Sequence, residues 1–109
     1  MQHDYPFFVI NKKRKFDKIP YTEILYLEGK INYTLVHLKS GKVKVSARTL
    51  KFHIEHSLND SFWRIHRSFC VNSKYIGHYD EVQNPSFLLL KSGEKLAVSR
   101  RMKHVLFES

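Results

Sequence analysis

The chain has 109 residues, of which 42% are hydrophobic and 14% aromatic. It is therefore long enough for one domain with a hydrophobic core, and too apolar for a disordered segment. Its 19 Lys and Arg exceed its 10 Asp and Glu, which gives a formal net charge of +9. So basic a domain is typical of proteins that bind nucleic acid or an anionic membrane surface, although an inert basic surface has the same composition. Neither a signal peptide nor an apolar run of membrane-spanning length is evident, so we expect a single cytoplasmic domain over residues 1–109.

Two-residue alternation and apolar runs separated by turns predict five β-strands before residue 49. They are expected over residues 7–10, 16–20, 24–28, 33–38 and 42–48, with a basic turn (11–15) at the tip of the first hairpin. The third is apolar almost throughout and is expected to be buried on both faces. The fifth alternates between apolar and polar residues, which predicts one inner and one outer face. The inner face would hold Val43, Val45 and Ala47, and the outer face Lys42, Lys44, Ser46 and Arg48.

The pattern changes to helical spacing after residue 48. Leu50, Ile54 and Leu58 recur every four residues, and Thr49 is placed to cap the start of a short helix. Further strands are expected at residues 87–90 and 95–98, separated by a turn at 91–94. Ser99 is placed to cap the final basic segment, residues 100–107. The chain is therefore expected to be a mostly β domain with short helices.

The residues that could support catalysis or bind a metal do not form a complete set. Cys70 lies in an apolar run and is expected to be a small buried side chain. A hydrolase that uses Cys70 with His66 as its base is the enzymatic alternative. His53 and His56 lie on adjacent turns of the predicted helix, and we expect them to face solvent because zinc needs further ligands. Paired carboxylates and a glycine-rich phosphate loop are not evident. We expect no enzymatic activity, no cofactor and no metal.

The most informative stretch is the run Phe62–Asn72, FWRIHRSFCVN. It interleaves large apolar residues with Arg64 and Arg67, so it joins a buried interior to a basic surface. An arginine that discriminates between DNA bases must be held firmly, and such a junction provides that support. A solvated polar face would explain Lys39 and Lys91, but it explains Arg67 less well, because Arg67 lies within an apolar run.

Several segments, taken in order, resemble the LytTR family of DNA-binding domains. They are Ile24–Glu28, Asn32–Tyr33, Gly41, Thr49–Lys51, the run Phe62–Asn72 with Ile76, Gly93 and Val98–Arg101. The resemblance implies an elongated β-sandwich of small antiparallel sheets with short helices. It also implies a bacterial transcriptional regulator that inserts loops into successive major grooves of double-stranded DNA and bends the DNA between them. Such domains are usually the output module of a two-component response regulator, whose receiver domain would lie outside this chain.

The resemblance also implies which residues contact DNA. The expected base contacts are Asn32, Tyr33, Lys30, Arg67, Arg100 and Arg101. Apart from the resemblance, basic side chains on strand surfaces more often meet phosphates, and the expected backbone contacts are Lys44, Arg48, Arg64, Ser68 and Lys103. His66 would be structural, and Ser68 and Asn72 would fix the Arg67 turn through hydrogen bonds to the backbone. The core would include Leu50, Phe62, Ile65, Phe69 and Val71.

The resemblance implies a repeated half-site, so the expected partner is double-stranded DNA with tandem half-sites. The isolated domain is expected to be monomeric, because the sequence shows neither a heptad seam nor a long apolar edge. A basic β domain that binds RNA or a membrane surface is the alternative function. RNA-binding domains usually display paired aromatic residues on a sheet face, whereas the aromatic residues here lie within apolar runs.

Overall fold

The computed structural model describes residues 6–80 and 86–100. The elements in these ranges are β1 (Phe7–Lys12), β2 (Lys15–Pro20), β3 (Ile24–Gly29), β4 (Thr34–Leu38), β5 (Val43–Ser46), α1 (Leu50–His56), β6 (Phe62–His66), β7 (Phe69–Asn72), β8 (Ile76–Asp80), β9 (Phe87–Leu90) and β10 (Lys95–Ala97). Short 3-10 turns, Tyr21–Glu23 and Ser73–Tyr75, lead into β3 and β8. The fold is mostly β, as predicted.

The strands form three antiparallel sheets. The β1–β2 hairpin is one sheet, a central sheet has the order β5-β4-β3-β7-β6, and a third has the order β10-β9-β8. The molecule is elongated, with principal extents of 47 × 28 × 27 Å. The predicted sandwich of small sheets is confirmed.

The central strand β3 is buried on both faces, as its apolar sequence predicted. Four successive residues from Ile24 to Leu27 are buried. Leu27 packs on one face with the hairpin and α1, while Tyr26 packs on the other face with the third sheet. The two hydrophobic clusters of the domain therefore share β3.

Each cluster fills the space between the central sheet and one other layer. The first holds buried residues of the hairpin, the central sheet, α1 and its flanking loops: Phe8, Ile10, Ile19, Tyr21, Ile24, Leu27, Val36, Leu38, Leu50, Leu58, Phe62 and Cys70. The second holds Leu25, Tyr26, Ile65, Val71, Leu88, Leu90, Leu96 and Val98. Of the predicted core residues, Phe69 is only half-buried and meets Tyr26 edge-on, with ring centroids 6.1 Å apart.

The faces of β5 are the reverse of the prediction. Val43 and Val45 are 48% and 58% exposed, and Ala47 beyond the strand is also exposed. Ser46, which was expected to face solvent, is 2% exposed, and Lys44 is half-buried.

The reason lies in which layer reaches β5. Lys44 Nζ lies 2.6 Å from the Asp17 carboxylate of β2, and Ser46 Oγ lies 2.7 Å from His53 Nε2 of α1. The hairpin and α1 therefore cover this face. On the opposite face, the cluster under the third sheet includes residues of β3, β6 and β7 from the central sheet, and none from β5. Alternation in the sequence separates two faces of a strand without indicating which one is covered.

Helix α1 begins at Leu50, directly after the predicted cap residue Thr49. Thr49 Oγ1 accepts a hydrogen bond from the Phe52 amide at 3.2 Å. The helix ends at His56, before the predicted Leu58. The expectation that His53 faces solvent was wrong, because this side chain is 1% exposed. Its two ring nitrogens lie 2.7 Å from Ser46 Oγ and 2.8 Å from Ser57 Oγ, so local hydroxyl groups satisfy a buried imidazole. His56 is exposed, as expected.

Candidate nucleic-acid interface

The loop between β3 and β4 projects three side chains into solvent. The Lys30 amide donates a hydrogen bond to the Tyr33 carbonyl oxygen at 2.8 Å, which closes the loop at its base. Between these residues, Ile31 is 91% exposed and Asn32 is also exposed, and Tyr33 itself is 41% exposed. The loop is thus a short, closed projection with mixed polar and apolar chemistry.

The turn between β6 and β7 presents Arg67 on a braced backbone. Arg64 donates from Nη2 to the Arg67 carbonyl oxygen at 2.7 Å and from Nε to the His66 carbonyl oxygen at 3.3 Å. The Ser68 amide donates to His66 Nδ1 at 3.0 Å. The Arg67 side chain itself is exposed. A firmly held backbone with a free guanidinium group is the arrangement that selective contact with a base requires.

His66 supports this turn as a neutral ring. Partial burial lowers its pKa below the ordinary value, and the neighbouring charges of Arg67 and Arg64 lower it further. A neutral ring leaves Nδ1 free to accept the hydrogen bond from the Ser68 amide. Asn72 does not fix this turn, because it lies at the other end of β7. Its side-chain amide donates to the Ile24 carbonyl oxygen at 3.0 Å, and its Oδ1 accepts from the Lys74 amide.

The loop and the turn are joined directly. The Gly29 amide donates to the Ser68 carbonyl oxygen at 2.7 Å, so the end of β3 is hydrogen-bonded to the β6–β7 turn. The start of α1 packs closely against the same residue. A Cβ added at Gly29 would lie only 2.9 Å from the Cβ of Leu50, the first residue of α1. Because real Cβ atoms do not approach so closely, a larger residue at this position would have to displace Leu50. The three segments therefore meet at Gly29.

A basic pocket of about 520 Å³ opens where these segments meet. It is lined by Gly29, Lys30, Ile31, Thr49, Leu50, Lys51, Arg64, Arg67 and Ser68. Four of these side chains are cationic and none is acidic. The pocket is thus a positive concavity, able to attract a phosphate group or the electronegative edge of a base.

One carboxylate lies next to the pocket. Glu28 Oε2 is 3.0 Å from Lys30 Nζ, and its Oε1 is 3.0 Å from His37 Nε2. Partial burial acts to raise the pKa of Glu28, but the hydrogen bonds and charges of Lys30 and His37 outweigh it and the pKa is lowered. Glu28 is therefore ionised at neutral pH and orients the Lys30 ammonium group.

The remaining predicted contact residues are less closely grouped. The Ser99 amide donates to the Ile65 carbonyl oxygen at 2.9 Å, so exposed Arg100 follows a residue bonded to β6. Arg101, Lys103 and most of the segment that Ser99 was expected to cap lie outside the described residues. Arg48 is exposed, with its guanidinium carbon 4.6 Å from the centre of the Phe52 ring. Lys44 does not line the basic pocket. It lines a separate cavity with Lys12 and Lys42.

Five of the nine residues that line the pocket were not among the predicted contacts, and Lys51 and Ile31 are two of these five. Lys51 belongs to a segment that carries the family resemblance, so its position after Leu50 was a usable signal. Ile31 was visible as an apolar residue between Lys30 and Asn32 in an otherwise polar loop. Neither signal shows by itself that the residue lines the same pocket as Arg67, because the pocket forms only where α1, the β3–β4 loop and the β6–β7 turn meet.

The enzymatic and metal-binding alternatives gain no support. Cys70 is 2% exposed, and burial raises the pKa of its thiol to about 12, so it stays protonated and unreactive at neutral pH. Within residues 6–80 and 86–100, no group of three or more His, Cys, Asp or Glu side chains could hold a metal ion. None of the helices in those same ranges is long and apolar enough to cross a membrane.

Two of the three comparisons with known proteins give matches, and the third gives none. The family model described as the LytTr DNA-binding domain matches residues 14–109. Four chains of solved structures match. One of them is the LytTr DNA-binding domain of a protein described as a methyl-accepting/DNA response regulator from Bacillus cereus, with 23% sequence identity, a TM-score of 0.79 and 96% coverage of each chain. No curated protein matches the chain at a significant level.

Proposed function

The chain belongs to the LytTR family of DNA-binding domains, and on that basis we propose that residues 1–109 form one domain that recognises a specific double-stranded DNA sequence for a bacterial transcriptional regulator. The observation that carries the proposal is the basic pocket, where Lys30, Lys51, Arg64 and Arg67 converge. The loops that line it enter the major groove, and the DNA bends between the sites where they insert.

The positive pocket supplies the sequence-independent part of the affinity. Lysine and arginine side chains that neutralise phosphates release condensed counterions, so affinity falls steeply as salt concentration rises. Lys51, the second residue of α1, lines the pocket, and so does Ser68, which carries a hydroxyl group. These two contact the DNA backbone, as do Lys44, Arg48, Arg64 and Lys103.

Arg67 supplies the principal base contact. A guanidinium group pairs with guanine O6 and N7 through two hydrogen bonds, and the rigid turn under Arg67 fixes its direction. Asn32 in the neighbouring loop has the amide that pairs with adenine in the same way. Tyr33, Lys30, Arg100 and Arg101 add contacts around these two.

The test starts with a selection of bound sequences from random duplex DNA, followed by titration at several salt concentrations. We expect one enriched sequence and an affinity that falls linearly with salt on logarithmic axes. Arg67→Ala should lose about 1–3 kcal/mol of binding free energy and relax the preference at one base pair. Lys91→Ala removes an exposed charge from the turn between β9 and β10, and should have little effect. Affinity that does not change with salt, or preference for single strands, RNA or lipid vesicles, would contradict the proposal.

We further propose that the domain is monomeric in solution, and that two copies occupy tandem half-sites. The first copy bends the DNA, which lowers the deformation free energy for the second. Within a longer protein, it would be the output module of a two-component system, controlled by a receiver domain. Sedimentation of the free protein and footprinting on half-sites of varied spacing test this arrangement. A tight dimer without DNA, or binding indifferent to spacing, would contradict it.

A further inference from the structure

Ile31 is the most exposed of the large hydrophobic side chains in residues 6–80 and 86–100, at 91%. Isolated exposed apolar residues are common, so its exposure alone indicates no function. Its position is more informative. The side chain lies in the closed β3–β4 loop, between Lys30 and Asn32, and lines the same pocket as Arg67.

The fold does not require an isoleucine at this position. Among the described residues, the two buried hydrophobic clusters do not include Ile31. The hydrogen bond that closes the loop joins backbone atoms of Lys30 and Tyr33, so it does not depend on the side chain between them. A side chain that contributes nothing to the core, on the loop beside the base-reading arginine, is available for contact with DNA.

We propose that Ile31 recognises a thymine through its C5-methyl group. This inference rests on the proposed function, since it assumes that the loop lies in the major groove. The methyl group is the only apolar feature that base pairs present there, and it distinguishes thymine from the other bases. Arg67 and Asn32 can form hydrogen bonds with guanine and adenine, but neither detects a methyl group.

The neighbouring residues fit this role. Lys30 is oriented by Glu28 at 3.0 Å, and Gly29 is bonded to the β6–β7 turn at 2.7 Å, so the loop starts from a fixed base. An isoleucine on a fixed loop can meet one methyl group in a reproducible position. Removing one methyl group from water is worth about a fourfold to fivefold gain in affinity.

The test uses the duplex chosen by selection, with each thymine replaced in turn by deoxyuridine, which lacks only the C5-methyl group. For the unchanged protein, we expect one replacement to weaken binding about fourfold to fivefold. Ile31→Ala should bind the thymine duplex more weakly by a similar factor and should be indifferent to uracil at that position. Arg67→Ala should bind more weakly overall and keep the thymine-to-uracil difference. Thermal unfolding of Ile31→Ala should match that of the unchanged protein.

The possible failures are distinguishable. If specific binding is found but no thymine-to-uracil replacement weakens it, the inference about Ile31 is wrong and the proposed function stands. The same holds if Ile31→Ala keeps the full sensitivity to uracil, or if it loses affinity equally for every duplex, as a non-specific wedge between bases would. If no duplex sequence is selected at all, the proposed function itself fails and the thymine contact fails with it.

Discussion

Acidification from pH 7.5 to pH 5.0 should destabilise the domain through one buried histidine. His53 lies on α1 at 1% exposure, between Ser46 and Ser57. Burial lowers its pKa from 6.5 to about 4, and the nearby charge of Arg48 contributes to the same shift. In the unfolded chain the ring returns to its ordinary pKa. Protonation therefore favours the unfolded state.

The size of the effect follows from this difference in pKa. Because the pKa in the folded state is the lower one, the contribution of His53 to the free energy of unfolding is fully present above pH 6.5. This contribution is lost as the pH falls from 6.5 towards 4, and below pH 4 His53 causes no further change in the free energy of unfolding. Between pH 7.5 and pH 5.0, linkage gives a loss of about 2 kcal/mol.

Urea unfolding at the two pH values measures this loss, with the fluorescence of Trp63 as the probe. Trp63 is suited to it because it packs against the second hydrophobic cluster. We expect the unchanged protein to lose about 2 kcal/mol more than His53→Gln, whose side chain is neutral at both pH values. His56→Gln changes an exposed histidine on the same helix and should behave like the unchanged protein. The lowered pKa of His66 adds a further loss that is common to all three proteins.

His53→Gln also loses the packing of the imidazole ring against Phe8, whose ring centroid lies 4.6 Å away, so this variant should be less stable at both pH values. The quantity to compare is therefore the change in stability between the two pH values, and not the stability at pH 7.5. Equal losses in the unchanged protein and in His53→Gln would show that the folded state protonates the ring without penalty. That result would refute the reasoning from burial.

Two further predictions concern the supports of the candidate interface. Gly29→Ala should lower the free energy of unfolding by about 1–3 kcal/mol and weaken DNA binding, because its Cβ would displace Leu50. Gly77→Ala is the control: its Cβ would lie 3.1 Å from a carbonyl oxygen in the third sheet. It should reduce stability without affecting the affinity of the folded protein for DNA. Arg64→Lys should relax the base preference expected of Arg67 although the charge is kept, because the flexible ammonium group of lysine does not reproduce the rigid fork with which Arg64 donates to both carbonyl oxygens of the turn. A selection experiment that returned an unchanged preference would show that these two hydrogen bonds do not set the direction of Arg67.

Local patterns in the sequence predicted most of the elements. Apolar runs placed β3 and β9, and the cap at Thr49 placed the start of α1, because these features depend on neighbouring residues. The faces of β5 were predicted wrongly, because the covering layer comes from β2 and α1, which are distant in the chain. The burial of His53 was missed because the residues that it packs against, Phe8 and Ser46, belong to other strands of the chain.

The candidate site was predictable in part. Resemblance to the family indicated the β3–β4 loop and the β6–β7 turn. That Lys51 and Ile31 line one pocket with Arg67 could not be read from the sequence, because it depends on how the start of α1 packs against Gly29. A glycine after an apolar strand is compatible with many packings, and only the fold shows which atom fills the space.

The exposed valines of β5 affect how the domain behaves at high concentration. This strand ends the central sheet, so its outer backbone edge can pair with another chain, and Val43 and Val45 give that edge an apolar surface. Repulsion between copies with a net charge of +9 opposes such contact. Salt shortens the range of that repulsion from about 10 Å at 0.1 M to about 3 Å at 1 M. The salt that releases the domain from DNA therefore also reduces its colloidal stability, and concentrated stocks should keep best at low ionic strength.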